Sequence, residues 1–392
     1  MAVADDTADV VVIGAGVVGA ACAFEAARAG LDVAVVDRGS LAGGTTSGGE
    51  GNLLVSDKEP GAELDLALLS SARWRAIGAL PLRDGTVGAR VELDAKGGLV
   101  VASSPATLAG LEHLAGEQAA AGIASEAVAA DDLRGVEPHI APGLAGGRFY
   151  PGDMQLQPML AAAVLLKLAR DLGARVRLHE AVVDVARSNG RVDGVVTSGG
   201  RVAAPAVVNA AGTWAGEVAA LAGVSVPVMP RRGFVLVTAP LPRVVRHKVY
   251  YADYVGDVAS DSAALQTSPV VEGTRSGTVL VGATRERVGF DRRPSPAALA
   301  RLACGAIELF PFLRDVPLMR SYLGFRPYCP DHLPVIGPDP RLPGLFHAAG
   351  HEGAGIGLSA GTGLLVAESL TGVPTSLPLT PFRPDRFEEA AA

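Results

Sequence analysis

The chain has 392 residues, of which 49% are hydrophobic and 19% charged, and its formal net charge is −7. This composition supports a large buried core and argues against disorder, and the sequence has no basic stripe that would predict nucleic acid as a partner. Three cysteines without a Cys-x-x-Cys pair argue against a disulfide framework or a metal site, and an acidic N-terminus with only short apolar runs predicts a cytoplasmic protein without a transmembrane segment.

The first elements form a β-turn-α-β unit. Val10–Ile13 is predicted to be a buried strand because it is a β-branched run. Val17–Ala29 is predicted to be a helix that ends at Gly30, and Leu31–Val36 is predicted to be a second strand. Two parallel strands joined in this way have a right-handed connection.

The turn of this unit has the pattern G-x-G-x-x-G. Gly14 permits a tight turn, Gly16 lets the backbone approach a pyrophosphate, and Gly19 lets the helix pack close to the strand. The N–H groups and the dipole of the helix start would then face the diphosphate. Asp37 ends the second strand, where a carboxylate accepts the ribose hydroxyls of an adenosine and disfavours a 2′-phosphate. The unit therefore predicts a dinucleotide site for NAD or FAD rather than NADP.

Further helices and strands alternate along the rest of the chain, and Ser188–Arg191 has the composition of a hairpin turn. The predicted helices are Glu63–Ile77, Pro105–Ala121, Pro158–Leu172, Ser295–Phe310 and a last one that follows the Gly350–Gly357 turn and ends at Leu370. The predicted strands are Val87–Leu93, Gly98–Val101, Ala206–Asn209, Phe234–Thr238, Lys248–Val255, Leu265–Glu272, Thr278–Thr284 and Leu345–Ala348. This order predicts two interleaved domains, one α/β and one mostly antiparallel β.

Three segments beyond the first unit favour FAD over NAD. Gly43–Leu53 is rich in glycine and hydroxyl residues and can wrap a diphosphate. Val207–Trp214 is a strand that ends in small residues, and Gly350–Leu358 opens the last long helix. An NAD dehydrogenase usually completes its nucleotide domain in one contiguous block, so scattered cofactor segments point to a flavin nucleotide.

With these motifs the chain resembles, over nearly its whole length, the D-amino-acid-oxidase-like FAD oxidoreductases, which include glycine oxidase, sarcosine oxidase and D-amino-acid dehydrogenase. Residues 247–293 and the stretch GHEGAGIGLS look most like the flavin subunits of two multi-subunit dehydrogenases, namely the third subunit of hydrogen cyanide synthase and the β subunit of D-hydroxyproline dehydrogenase. The resemblance implies a Rossmann-like FAD-binding domain of the glutathione-reductase type, from residues 1–85, 145–220 and 322–392. It implies a mixed, largely antiparallel substrate domain from residues 86–144 and 221–321.

The resemblance also implies which residues hold FAD without a covalent bond. The ADP half would be held by Gly14, Gly16, Val17, Val18, Gly19, Asp37 and Arg38, with backbone contacts from Val182 to the adenine. The diphosphate and the isoalloxazine edge would be lined by Gly44, Thr45, Thr46, Ser47, Glu50, Gly51, Asn52 and Leu53, and covered by Ala210, Gly212 and Trp214. A helix N-terminus that stabilises the negative charge of the reduced flavin would come from Gly350, Gly353, Gly355 and Ile356.

The same resemblance assigns the substrate carboxylate to Arg326, in the sequence Gly324-Phe325-Arg326-Pro327. A guanidinium matches a carboxylate with two parallel hydrogen bonds, although Arg326 could instead pair with an acid such as Asp331. His351 and Glu352 would tune the amine or the flavin ring, or would only cap the last helix. The expected reaction is hydride transfer to the flavin from a small amino acid or secondary amine acid, such as glycine, sarcosine or D-proline and D-hydroxyproline.

Three positions depart from the family pattern, and several alternatives stay open. Val270 stands where glycine-oxidase-like enzymes carry Tyr, Gly353 where some relatives carry Arg, and Gly324 where sarcosine-oxidase-like enzymes carry the flavin-linked Cys. The chain could instead be a flavin electron-carrier subunit with little activity alone, or an NAD-linked dehydrogenase. Electrons could pass to oxygen, a quinone, a dye or a partner subunit, in a homo-oligomer or a hetero-oligomer.

Overall fold

The computed structural model of the chain describes residues 6–253 and 262–389. Its first sheet has six strands, and the inner ones are buried on both faces because helices pack on one side and strands of a smaller sheet pack on the other. In spatial order the strands are Arg175–Leu178, Val33–Asp37, Val10–Ile13, Ala206–Asn209, Leu345–Ala349 and Val335–Pro338. The first five are parallel and the last is antiparallel to its neighbour. The carboxyl ends of the parallel strands therefore meet at one edge.

Three long helices pack together beside this sheet. The helix Val17–Arg28 lies against Pro158–Asp171 and Gly355–Thr371, and the last of these also packs on Ala62–Gly78. Glycine makes the close approach possible, because a Cβ at Gly363 would lie 2.6 Å from the backbone of the first helix. This packing holds the N-termini of the first and last helices beside each other.

The second sheet has eight strands. In spatial order they are Leu318–Tyr328, Met229–Thr238, Val279–Arg285, Gln266–Gly273, Lys248–Tyr251, Gly98–Ala102, Gly146–Tyr150 and Glu126–Ala129. All neighbours are antiparallel except Lys248–Tyr251 and Gly98–Ala102. The helix Pro296–Leu309 packs on one face, which leaves the other face toward the six-stranded sheet.

Smaller elements complete the described part of the chain. A four-stranded sheet has the order Asp6–Thr7, Gly200–Ala203, Arg191–Thr197 and Val182–Ser188, and two-stranded sheets pair Asn52–Leu53 with Met154–Gln155 and Pro81–Leu82 with Gly85–Thr86. The remaining helices are Val87–Arg90, Pro105–Ala120, Leu133–Val136, Ala215–Leu221 and Arg386–Glu389. The 3₁₀ turns are Thr45–Gly48, Ala130–Asp132, Gly212–Trp214, Pro311–Asp315, Glu352–Ala354 and Thr380–Phe382.

The predicted hairpin turn is confirmed, since Asn189 and Gly190 have φ of 51° and 73° between two antiparallel strands. The predicted strand Val87–Leu93 is wrong, because its first residues form the helix Val87–Arg90. The Thr86 hydroxyl caps this helix by accepting a hydrogen bond from the Ala89 N–H at 3.3 Å. Of the predicted strand Lys248–Val255, the part up to Tyr251 is confirmed, and residues 254–255 lie outside the described residues.

The two predicted architectures, one α/β and one largely antiparallel, are both present. The six-stranded sheet takes all its strands from residues 1–85, 145–220 and 322–392. The eight-stranded sheet, however, includes Gly146–Tyr150 and continues to Tyr328, so two of its strands cross the predicted limits. The domain limits stay a prediction. Within the described residues, no helix is both long and apolar enough to cross a membrane.

Candidate active site

A cavity of about 590 Å³, the main cavity, lies between the two large sheets. One wall consists of the carboxyl ends of the parallel strands, for example Ile13, Val36 and Ala348. The opposite wall comes from the eight-stranded sheet, through Gly233 and Gly324. A crevice at the carboxyl ends of parallel strands is the usual ligand position in such folds, and this volume suits a cofactor.

The G-x-G-x-x-G turn forms the floor of the main cavity. Gly14 has φ of 118°, and a Cβ there would overlap the Ala210 carbonyl, so only glycine fits. A Cβ at Gly19 would likewise overlap the Gly14 carbonyl; Gly19 does not line the cavity but lets the helix approach the turn. A Cβ at Gly16 would lie 3.1 Å from Thr46 Oγ1. The turn is therefore a backbone cradle that any side chain would fill.

Polar side chains hold the two loops around this cradle. The Val17 N–H, at the start of the first helix, donates to Thr46 Oγ1 at 3.0 Å. The Asp37 carboxylate accepts hydrogen bonds from the Ala15 N–H and the Gly39 N–H, each at 2.7 Å. Each carboxylate oxygen has a further lone pair, so Asp37 can still accept ribose hydroxyls as predicted.

Trp214 covers one end of the main cavity. The Arg38 guanidinium lies 4.6 Å from the centre of the Trp214 ring, and the Phe290 ring stacks on it at 5.3 Å. A Cβ at Gly44 would lie 3.1 Å from the same ring. Val182, predicted to contact adenine, lines the cavity at this end beside Glu180 and Glu217.

The loop of residues 45–52 presses directly against the strand Leu318–Tyr328. A Cβ at Gly48 would lie 2.6 Å from Gly324 Cα, and the Thr45 hydroxyl donates to the Phe325 carbonyl at 2.8 Å. At Gly324, the position at which covalent relatives carry Cys, a Cβ would lie 3.0 Å from Gly48 Cα, so a side chain there would have to displace the loop. Cys329 is fully buried outside the cavity lining, and burial raises its pKa to about 12. These contacts agree with a flavin that is not covalently bound.

Arg326 lies at the edge of the main cavity in a narrow slot. A Cβ at Gly233 would overlap its Nη1, and a Cβ at Gly353 would lie 3.4 Å from its Nε. Nη1 donates to the Thr284 carbonyl at 2.9 Å. Asp331, the alternative partner considered above, instead pairs with Arg386 at 2.6 Å. Two glycines therefore fix the plane of a guanidinium that lines the cavity.

A second cavity of about 60 Å³, the side cavity, adjoins the main cavity at Arg326. Both cavities are lined by Asn52, Arg326, His351, Glu352 and Gly353. The side cavity is otherwise lined mainly by charged side chains, namely Asp57, Lys58, Glu63, Arg285 and His332. The shared residues place a small polar compartment beside the main cavity.

His351 and Glu352 have protein partners. Burial opposes ionisation of Glu352, but the hydrogen bond with His332 Nδ1 at 2.9 Å and the Arg231 guanidinium together lower the pKa of its carboxyl group. His351 Nε2 lies 2.9 Å from the Thr362 hydroxyl, and burial lowers the pKa of His351 to about 3. Neither side chain makes a capping hydrogen bond to a helix end, because each has another side chain as its partner. A catalytic role for His351 or Glu352 stays a prediction.

Most of the predicted cofactor residues line the main cavity, and four do not. Ser47 closes its own turn by donating to the Gly44 carbonyl at 3.0 Å, Leu53 is buried in the core, and Gly350 packs on Cys329. The fourth is Gly19, described above. Of the opposite wall, the Gly324–Pro327 piece was named from the sequence, and the contribution of the partner strand, through Gly233 and Val235, was missed. No local motif marks Gly233 and Val235, because only the pairing of their strand with Leu318–Tyr328 brings them to the cavity.

The arrangement fits FAD. The cradle has no side chains, Asp37 faces a possible ribose, and both helix N-termini line the cavity. Asn52 Oδ1 is buried and has no hydrogen-bond partner among residues 6–253 and 262–389. A buried acceptor of this kind is expected where a polar group of a bound ligand supplies the partner. The described side chains include no group of three or more candidate metal ligands.

Comparison with known proteins agrees with this site. A family model described as FAD dependent oxidoreductase matches residues 9–369. The chain belongs to this family. It is 32% identical over 378 residues to the glycine oxidase of Geobacillus kaustophilus, covering 95% of this chain and 96% of that protein. It is 29% identical over 425 residues to the HcnC protein of the hydrogen cyanide synthase of Pseudomonas aeruginosa, covering 98% of each chain.

Solved structures of the family have the same fold. The crystal structure of glycine oxidase from Geobacillus kaustophilus superposes with a TM-score of 0.87 at 29% identity, over 97% of this chain and 99% of that one. L-proline dehydrogenase from P. horikoshii superposes with a TM-score of 0.88 at 22% identity, over 98% and 99% of the two chains, which shows the shared fold. The chain is therefore an FAD-dependent oxidoreductase of the D-amino-acid-oxidase group, as the sequence motifs predicted.

Proposed function

We propose that the protein oxidises the C–N bond of a small amino acid or secondary amine acid, in the class of glycine, sarcosine and D-proline or D-hydroxyproline. The single observation that carries the proposal is the Arg326 guanidinium, held between two glycines at the cavity edge. A planar guanidinium in that position can bind a carboxylate through two parallel hydrogen bonds. The similarity to a glycine oxidase over almost the whole chain supports the same class of substrate.

The surroundings of Arg326 suit a small substrate. The side cavity next to it has a volume of about 60 Å³, which holds only a few non-hydrogen atoms. Several charged side chains line it, among them Lys58, Glu63 and Arg285, so a large apolar side chain would be poorly accommodated. We therefore expect glycine-like or compact cyclic substrates to be preferred over aromatic amino acids.

Bound FAD supplies the acceptor for the hydride of the substrate α-carbon. Arg326 binds the carboxylate and thereby orients the α-carbon, which reduces the entropy lost on reaching the reactive arrangement. His351, buried and neutral, and Glu352, ion-paired, keep the start of the last helix in place.

An anaerobic titration tests the proposal. The purified holoprotein is mixed with a panel of D-, N-methyl- and cyclic amino acids, and the flavin absorbance is recorded. We expect bleaching with at least one small member of the panel and none with the corresponding amines that lack a carboxylate. Failure of every amino acid to bleach a protein that carries FAD would contradict the proposal.

A second candidate, supported by the full-length similarity to the HcnC protein of a hydrogen cyanide synthase, is a flavin electron-carrier subunit. It predicts a yellow protein that is silent with the whole panel and with an artificial dye when it is purified alone. Dye reduction by the isolated chain would reject this candidate in favour of an enzyme that is active alone.

A further inference from the structure

A cluster of buried charges lies between the main cavity and the eight-stranded sheet. It comprises Glu50, Lys96, Lys248 and Glu272, which are two acids and two lysines. Lys248 and Glu272 are direct neighbours on adjacent strands, and Lys96 Nζ lies 3.9 Å from Glu272 Oε2. Lys248 is 2% exposed and Glu272 fully buried. Charges at this depth are costly unless they serve as partners for other polar groups.

Glu50 connects this cluster to the main cavity. It lines the cavity, and its carboxylate packs on Gly282, where any Cβ would overlap it. Leu280, two residues before Gly282 on the same strand, is the direct neighbour of Glu272. Residues two apart on a strand share a face, so the Glu50 carboxylate lies one step along the sheet from Glu272.

The cluster has unused hydrogen-bonding capacity. Glu50 Oε1, Lys248 Nζ and both carboxylate oxygens of Glu272 are buried and have no hydrogen-bond partner in the part of the chain that the structure describes. Buried polar atoms without partners are rare and indicate that a water or ligand belongs beside them. Glu50 is the member of the cluster that lines the main cavity, so it is the residue of the cluster that a ligand there can approach.

The charges around the main cavity match those of an amino acid. Arg326 lines both cavities and Glu50 lines the main cavity only, so a substrate whose carboxylate is on Arg326 reaches Glu50 with its ammonium group on the main-cavity side. At neutral pH an amino acid carries a carboxylate and an ammonium group on neighbouring atoms. If Arg326 binds the carboxylate, the ammonium group requires an acceptor, and Glu50 is a carboxylate of the main-cavity lining whose Oε1 has no hydrogen-bond partner among the described residues.

We propose that Glu50 is the general base that accepts a proton from the substrate ammonium group. One N–H bond of the substrate breaks and one O–H bond forms at the Glu50 carboxylate, which leaves a neutral amine and a neutral carboxylic acid. The amine lone pair is then available to form the C–N double bond as the hydride leaves. This assignment rests on the proposed amino-acid oxidation and adds a catalytic residue to it.

The neighbours of Glu50 adjust how readily it takes the proton. Burial raises the pKa of Glu50, and the negative charge of Glu272 raises it further. The positive charges of Lys248, Arg326 and Arg285 lower it. Tyr322 is the remaining titratable group on this face, and burial next to Glu50 and Glu272 raises its pKa, so it stays a neutral phenol. Because Lys248 and Glu272 shift the pKa of Glu50 in opposite directions, replacing each of them should move the Glu50 titration in opposite directions.

The first test is the pH dependence of flavin reduction in stopped flow without oxygen. In the wild type the limiting rate should rise as Glu50 ionises and then stay level. In Glu50→Gln only the neutral amine already present in solution can react, so the limiting rate divided by the apparent Kd should fall about tenfold for each pH unit below the amine pKa. We expect a loss of about 100-fold at pH 7 that shrinks at high pH. Glu117→Gln, an exposed acid distant from both cavities, is the matched control.

The second test keeps Glu50 and changes its neighbours. Lys248→Met removes a cation that favours the carboxylate, so the step in the wild-type profile should move to higher pH. Glu272→Gln removes an anion that disfavours the carboxylate, so the step should move to lower pH. The FAD content of each variant, read from its absorbance, shows that the fold is retained.

Infrared difference spectra give a readout independent of turnover. Addition of substrate to the holoenzyme should produce a protonated-carboxyl band that is absent in Glu50→Gln. A profile of Glu50→Gln identical to that of the wild type, or unmoved steps in both neighbour variants that retain FAD, would overturn the assignment. If no amino acid reduces the wild type, the proposed function itself fails, which is a distinguishable result.

Discussion

Replacement of Arg326 by Lys tests whether the guanidinium binds a substrate carboxylate. Arg326 Nη1 already donates to the Thr284 carbonyl at 2.9 Å, and the slot between Gly233 and Gly353 holds the group flat. A lysine keeps the charge but loses the second parallel hydrogen bond. A charge-assisted hydrogen bond contributes about 1.5–3 kcal/mol, so the substrate Kd should rise by about 10- to 150-fold.

The assay is flavin reduction under anaerobic conditions at increasing amino-acid concentration, which separates the Kd from the limiting rate. Arg326→Met removes both hydrogen bonds and the charge. The factor by which it raises the substrate Kd should therefore be about the square of the factor for Arg326→Lys. The corresponding amine without a carboxylate is the matched ligand control, and its affinity, measured from the change that its binding causes in the flavin spectrum without reduction, should be unchanged in both variants. A Kd for the amino acid within about twofold of the wild type in Arg326→Met would refute the assignment.

Three further substitutions probe the fold around the site by denaturant unfolding of the holoprotein. Gly48→Ala forces a Cβ to 2.6 Å from the opposite backbone and should lower the free energy of unfolding by about 1–3 kcal/mol. Gly110→Ala, with open space around it, is the control and should not lower it. Equal losses in the two variants would contradict this contact. Glu352→Gln leaves the buried cation of Arg231 uncompensated and should cost about 3 kcal/mol, and a loss below about 0.5 kcal/mol would show that the pair is unimportant. Burial raises the pKa of Asp153 from 3.8 to about 6, so its contribution to stability is complete below pH 4 and is lost as the pH rises through 6. The difference in unfolding free energy between wild type and Asp153→Asn should therefore fall by about 1.4 kcal/mol per pH unit across that window, and a constant difference would contradict the shift.

Much of the first sheet was predictable from local sequence. Ala206–Asn209 has the predicted bounds, and Val10–Ile13 was read correctly as a buried strand. Both are short runs that are apolar on both faces, a pattern that needs no knowledge of the partner strand. The strand Leu318–Tyr328 was missed because it starts exposed and ends buried, so that no single periodicity runs along it. Its burial follows from its partner Met229–Thr238 and the 45–52 loop.

The cofactor cradle could likewise be predicted from the sequence, whereas most of the second wall of the cavity could not. Gly14, Gly19 and Asp37 constrain each other within a few tens of residues, and their roles follow from backbone geometry alone. Glu352 was read as a capping or tuning residue, and its pairing with Arg231 could not be foreseen because 121 residues separate the two.

The amino-acid sequence by itself determined the nucleotide-binding turn, the strands and helix beside it and the family, because each is encoded in short windows where glycine, β-branched and acidic residues restrict the backbone directly. Only the tertiary structure decided that Glu50 and Arg326 line one cavity, that glycines fix the guanidinium plane, and that Glu352 is ion-paired. Those features depend on how distant strands align across a sheet. Strand register is set by packing over the whole domain and leaves no mark at any single position.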